Sequence, residues 1–251
     1  MATDVDIANE ALGKIGTRNT ITSLAEATNE AKRVNQFFDQ TRQEILQKAH
    51  WGFARAVVAL TLYKAAPYVD VPTGFTPPAD ADAWTSSYPM PPWLYEYSWP
   101  SNALLVQAIV PVLSNYSYPF ILANAAAFQI GSDRNVANTA DVRVLLTNLL
   151  SAIAVYTKDV DDPLLYPPLF IDAFSSALAA KIALPLTGDK DLAKLMFALA
   201  NDSIRQARAD DANQGLTVID HEASWITARF GFETPVYAGS YLAPYAPLYL
   251  A

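Results

Sequence analysis

Any side-chain chemistry in this chain of 251 residues would have to come from carboxylates, because it holds no cysteine and only two histidines, His50 and His221. That inventory removes disulfides and thiolate metal sites and leaves too few ligands for a histidine-rich metal centre. His221-Glu222 opens like a zinc-protease helix, but Trp225 stands where the motif needs its second histidine. Asp220, His221 and Glu222 are therefore expected in a solvated loop, with a small acid-base cluster there as the alternative, and His50 is expected to cap the negative end of a helix dipole. Asp161-Asp162-Pro163 and Asp210-Asp211 put carboxylates side by side, as glycoside hydrolysis requires at a defined separation. Sequence neighbours rarely meet that separation. The first pair predicts a turn before proline and the second a solvated helix end. No phosphate-binding glycine loop, nucleophile elbow or metal-ligand spacing occurs. No catalytic residue, metal or cofactor is expected.

Charge and composition narrow the partners. Seventeen basic against twenty-five acidic residues give a net charge of -8 and a pI near 4.7, which argues against a free-standing nucleic-acid binder. With 52% apolar residues the chain can bury a substantial core. Acids in "MATDVDIANEALGKI" stand where a secretory signal needs a basic start, so no export signal is expected. The longest uncharged span, Tyr97 to Ser132, is broken by prolines, serines and asparagines, and no membrane crossing is expected.

The elements that would position these residues begin with a short helix, where Val5, Ala8, Leu12 and Ile15 keep helical spacing between a Thr3 cap and Gly16. Thr28 can cap a second helix with the stripe Ala31, Val34, Phe38, Thr41, Ile45 and Ala49. Its Lys32, Arg33, Arg42 and Lys48 read as a solvated face or, alternatively, a subunit or DNA contact. From Phe53 the pattern alternates, with Ala54, Ala56, Val58, Leu60 and Leu62 on one side, which predicts a strand. Ala66 to Pro100 holds eight prolines and eight aromatic residues and predicts an extended, ordered loop. Its rings would lid the core or line an assembly interface. No Lys or Arg occurs between Lys64 and Arg134, whereas Asp70, Asp80, Asp82, Glu96 and Asp133 do. The apolar segments "LLVQAIVPVL", "PFILANAAAF", "VRVLLT" and "AIAVYT" predict a small inserted sheet. Pro168 and Pro185 bracket a helix apolar on nearly every side, hence central. Gly188, the Asp189 cap, the stripe Leu192, Leu195, Met196 and Leu199, and Gly215 mark one more.

The expected fold is α+β, mainly α: an elongated bundle of about four helices spanning 1–215, a β-rich insert at about 53–157, and an extended tail over 216–251. The last eighteen residues carry no charge, and Tyr237, Tyr241, Tyr245 and Tyr249 recur every fourth position, on one face of an extended chain. Pro244 and Pro247 oppose a helix there. Ordering so long a segment costs more entropy than burying four tyrosines and a few aliphatic side chains returns. Strand-like hydrogen bonds to a partner could close that gap, so the tail is expected to order on a partner, with folding back on its own bundle as the alternative.

Several blocks in order resemble the head-to-tail adaptor family of short-tailed bacteriophages, also called the tail tubular protein A family. They are "IANEALGKIGT", "EAKRVNQFFDQTRQEILQKAHWGFARA", "WPSNALLV", "YTKDVDDPLLYPPLFIDAFSSALAAKIALPLTGD" and "SWITARF". Trp51 with Phe53-Ala54, and Asp162-Pro163 leading into the Phe170 to Leu186 helix, carry most of the likeness. The resemblance implies a virion protein at the head-to-tail interface, made in the bacterial cytoplasm and assembled as a ring of about twelve copies. It would join the portal protein to the nozzle or tail tube, with tail fibres as further partners, and leave a channel for double-stranded DNA. Trp225, Arg229, Phe230 and the four tail tyrosines are then expected to meet the portal or a neighbouring copy, and Trp84, Trp93 and Tyr95 the lower tail. The proline-rich stretch Ala66 to Pro92 and the tyrosine tail match no motif of that family. The alternatives are a virion-carried peptidoglycan hydrolase using Asp161 or Asp162, and a helical binding module unrelated to virions.

Overall fold

The computed structural model describes residues 2–67, 88–111, 125–134 and 140–214. Helix α1 (Asp4–Lys14) starts where its cap allows: the Asp6 N–H donates to the Thr3 hydroxyl while the Thr3 N–H donates to the Asp6 carboxylate. It stops at Gly16, whose φ of 78° lets the Gly16 and Thr17 N–H groups reach the Gly13 and Leu12 carbonyls. Helix α2 (Asn29–Lys48) starts on Thr28, whose hydroxyl accepts from the Ala31 N–H, and it buries the expected stripe Ala31, Val34, Phe38, Thr41 and Ile45.

Seven strands follow: β1 (Arg55–Ala59), β2 (Leu62–Ala65), β3 (Tyr95–Ser98), β4 (Ala103–Pro111), β5 (Phe128–Arg134), β6 (Asp141–Thr147) and β7 (Ala152–Lys158). They make two antiparallel sheets rather than the single small one expected, one in the order β1-β7-β4 and the other β2-β3-β6-β5. The single strand expected from Phe53 is divided between them. The Leu60 N–H donates to the Ala152 carbonyl and the Thr61 carbonyl accepts from the Ser98 N–H, so the chain changes sheets at those residues while keeping its alternation. Alternation reports which way a side chain points, not which strand it pairs with. Strand β3 interrupts the stretch expected as an extended loop. Strand β5, "FQIGSDR", begins only at Phe128, the last residue of the apolar segment expected to be a strand; residues 119–124 of that segment lie outside the described ones. Its glycine, serine and aspartate are poor strand formers, and full pairing with β6 overrides that preference.

The two sheets close on a shared core of Tyr95, Tyr97 and Leu145 from one and Ile109, Ala154 and Tyr156 from the other. On β7 the alternation sends Ala152, Ala154 and Tyr156 into that core and Val155 to the opposite face, with Ala108 and Val110.

A 3-10 turn (Pro163–Leu165) leads into α3 (Pro168–Thr187) and α4 (Lys190–Asn213). Gly188, with φ 71°, ends α3, and the Asp189 carboxylate caps α4 by accepting from the Asp191 and Leu192 N–H groups. Helix α3 packs against α1, α2 and α4 and is central, as its all-round apolar sequence predicts. It is also long and apolar enough, by length and composition, to cross a membrane, and half of its apolar window is buried inside the protein. The protein is thus mixed α and β, with four helices and two antiparallel sheets among the described residues, and all its strands fall between α2 and α3.

Candidate functional site

Of the residues expected to touch partners, Trp84, Trp225, Arg229, Phe230, Tyr237, Tyr241, Tyr245 and Tyr249 lie outside the described residues, as do His221 and Glu222. Trp93 is half-buried, and its indole N–H donates to Gln129 Oε1 at 2.9 Å. Tyr95 is buried in the core between the sheets, 6.4 Å from Tyr97 between ring centres, so its ring is not offered to a partner. It alternates with Glu96, which takes the opposite face.

The acidic pairs separate as soon as they are placed. Asp162 forms the expected turn, its carboxylate accepting from the Leu164 N–H at 3.0 Å, which uses it as a cap. Asp211 is not the merely solvated helix end expected of it. It accepts the Gly52 N–H at 2.9 and 3.2 Å and ties α4 to the link between α2 and β1. His50 is exposed and makes no hydrogen bond among the described residues, because the backbone turns extended at Ala49 before the imidazole could reach the last carbonyls of α2.

Arg42 also departs from the solvated face expected of it. It is buried, with Nη2 3.3 Å from Asp159 Oδ1 and 3.6 Å from Asp39 Oδ1. This is a contact of charges rather than a hydrogen bond, since Arg42 Nε and Asp159 Oδ1 have no hydrogen-bond partner. Gln43 donates to the other Asp159 oxygen at 2.8 Å, fastening α2 to the chain just beyond β7. Nearby, the Tyr166 hydroxyl donates to the Val160 carbonyl at 2.7 Å, and burial pushes this phenol up to about 12. A third polar cluster gathers around Lys14, whose ammonium lies 2.6 to 3.0 Å from Ser175, Ser176, Asp172 and Glu10. It pins α1 to α3.

The fourth cluster has the chemistry of a site. Lys64, Glu96, Leu146 and Gln129 form one cross-strand row over β2, β3, β6 and β5, on the face of that sheet turned away from the shared core. Glu96 is 2% exposed, hydrogen-bonds Asp133, and keeps one oxygen, Oε1, without a partner. Asp133 in turn pairs with Lys64. Burial first, then the hydrogen bond and charge of Asp133, push the Glu96 carboxyl up to about 7, with Lys64 opposing. The pair borders a cleft of about 260 Å³ whose other walls include Tyr88, Met90, Gln129, Val144 and Leu146. Two carboxyl groups in direct hydrogen contact share a proton. They are too close for glycoside hydrolysis, whose carboxyls stand at least about 5 Å apart. The sequence carried a faint signal for this site: Glu96 and Asp133 are two of the five acids in a span with no basic residue.

No family model matches the chain, and no curated protein is significantly similar to it. The likeness to the adaptor family therefore rests on the ordered sequence blocks.

Proposed function

We propose that the protein is a structural adaptor of a short-tailed bacteriophage, joining the portal ring to the lower tail and leaving a passage for double-stranded DNA. The four helices are its bundle body and the strands its insert. The observation that carries this reading is that the residues bearing most of the family likeness meet in space. Trp51 packs edge-on against Phe170 at 5.0 Å, Phe53 lies 4.9 Å from the same ring, and Asp162 caps the turn that feeds α3. Sequence blocks about 120 residues apart thereby build one aromatic centre.

Surface composition adds support. Leu195, Phe197 and Leu199 on α4, and Leu164, Leu165 and Leu169 at the approach to α3, are exposed, which suits a chain that buries more surface on assembly. At -8 per chain, a ring of about twelve copies would carry about -96, a lining along which DNA slides rather than binds. Mass measurement of the purified protein with and without its portal tests the reading. A ring, or a portal-bound ring, is the expected result. A monomer that ignores the portal would overturn it.

A further inference from the structure

Among the described residues, the cleft over the four-stranded sheet is short of one positive charge. With Glu96 and Asp133 both ionised it holds two negative charges against the single ammonium of Lys64. The sequence supplies no other lysine or arginine from residue 65 to 133. Arg143, on β6, is stacked over the Trp99 ring at 4.3 Å, and β6 gives the cleft only Val144 and Leu146. Among the described residues, Tyr63 on β2, whose phenol burial pushes up, and Tyr88 ahead of β3 are the remaining titratable neighbours. Glu96 Oε1, almost fully buried and without a hydrogen-bond donor, marks where the missing charge belongs.

We propose that this cleft binds a primary ammonium group carried on a short apolar stem. The ammonium donates to Glu96 Oε1, and the stem lies against Met90, Val144 and Leu146. The exchange balances: one cation enters and the proton shared by the two carboxyls leaves. A quaternary ammonium has the charge but no N–H to donate. A divalent metal ion such as calcium takes six to eight oxygen ligands. Two carboxylates beside a lysine ammonium are a poor match for it. The proposal does not depend on the adaptor reading, because it concerns only the sheet face and its charge balance.

Thermal unfolding of the full chain at pH 8 decides the matter, in n-propylammonium chloride against tetramethylammonium chloride and calcium chloride at matched ionic strength. At ten times its dissociation constant, propylammonium should raise the folding equilibrium constant about elevenfold over the tetramethylammonium control. Its apparent affinity should fall about thirtyfold at pH 5.5, where the proton keeps the site. The response should vanish in Glu96→Gln. Equal midpoints in the two ammonium salts, stabilisation by calcium instead, or an undiminished response in Glu96→Gln would each overturn the proposal. Where Glu96→Gln does not fold, the unaltered chain still decides: an equal response at pH 5.5 and pH 8 refutes the idea.

Discussion

Replacing Glu96 by glutamine should change how the protein's stability depends on pH. An ordinary glutamate titrates near 4.5, and burial beside Asp133 moves this one to about 7. The folded state therefore holds the proton more tightly than the unfolded chain does. That advantage is complete below about pH 4.5, fades as the pH climbs, and is gone above about 7. At about 1.4 kcal/mol per pH unit, the interval is worth roughly 3 kcal/mol. Glutamine is neutral throughout and has no such dependence. Urea unfolding of both chains from pH 4.5 to 8 at fixed ionic strength gives the comparison. The stability of Glu96→Gln relative to the unaltered chain should rise by roughly 3 kcal/mol across that range. Read as melting midpoints, this is about 6 to 12 °C for a chain of this size. Two other perturbed acids titrate below this window. Glu44 is lowered by its hydrogen bond to Lys181, and Asp172 is raised by burial but brought below its ordinary value by Lys14. Both work in the opposite sense, losing stability as the pH falls, but they are present in both chains and cancel in the difference. Two parallel profiles, separated by a constant offset, would refute the reasoning.

Two further substitutions test the packing. Phe170→Ala removes a ring that is 1% exposed and sits within 5.0 Å of Trp51, Phe53 and Tyr166, so it should cost about 3 to 5 kcal/mol in chemical denaturation; a loss under about 1 kcal/mol would mean the aromatic centre is not holding the helices together. Lys14→Met leaves the buried Ser176 hydroxyl and the Asp172 and Glu10 carboxylates without their ammonium and should cost about 2 kcal/mol, with the loss shrinking at low pH as Asp172 is protonated; a pH-independent loss would point to packing alone.

The helix starts were legible because their determinants are local, whereas the stripe expected on α4 was not: Leu195 and Leu199 are exposed, and the helix buries Met196, Ala200, Ile204 and Ala207. Thr3, Thr28 and Asp189 cap the N–H groups two or three positions on, and the α2 stripe lies within one 20-residue segment. Arg42 was not legible, because its surroundings are set by Asp159, and nothing within α2 announces that a charge on its polar side will be covered. The strands show the same division. Alternation located β1, and short apolar segments located β4, β6 and β7, but the change of sheet at Leu60 depends on partners far along the chain. Glycine and aspartate in β5 concealed a strand that exists through its pairing with β6. The Glu96–Asp133 site combined both difficulties. Its two acids stand 37 positions apart on strands that are not neighbours in the sheet, and only the order β3-β6-β5 brings them to one face. Tyr95 went astray by a single position: its neighbour Glu96 occupies the open face, and the tyrosine the closed one.

The Lys158 N–H donates to the Ala54 carbonyl at 2.8 Å. The chain thus departs for its sheets and returns from them side by side, and the pairing continues along β1 and β7 from Arg55 opposite Thr157. Inside the excursion Leu104 of β4 packs against the helical core, so changes farther out along the sheets are the ones the helices need not feel. Loops there can lengthen, shorten or change character over evolutionary time while the aromatic centre around Phe170 stays in place, so novelty in this molecule should accumulate between residues 54 and 158 before it touches the frame.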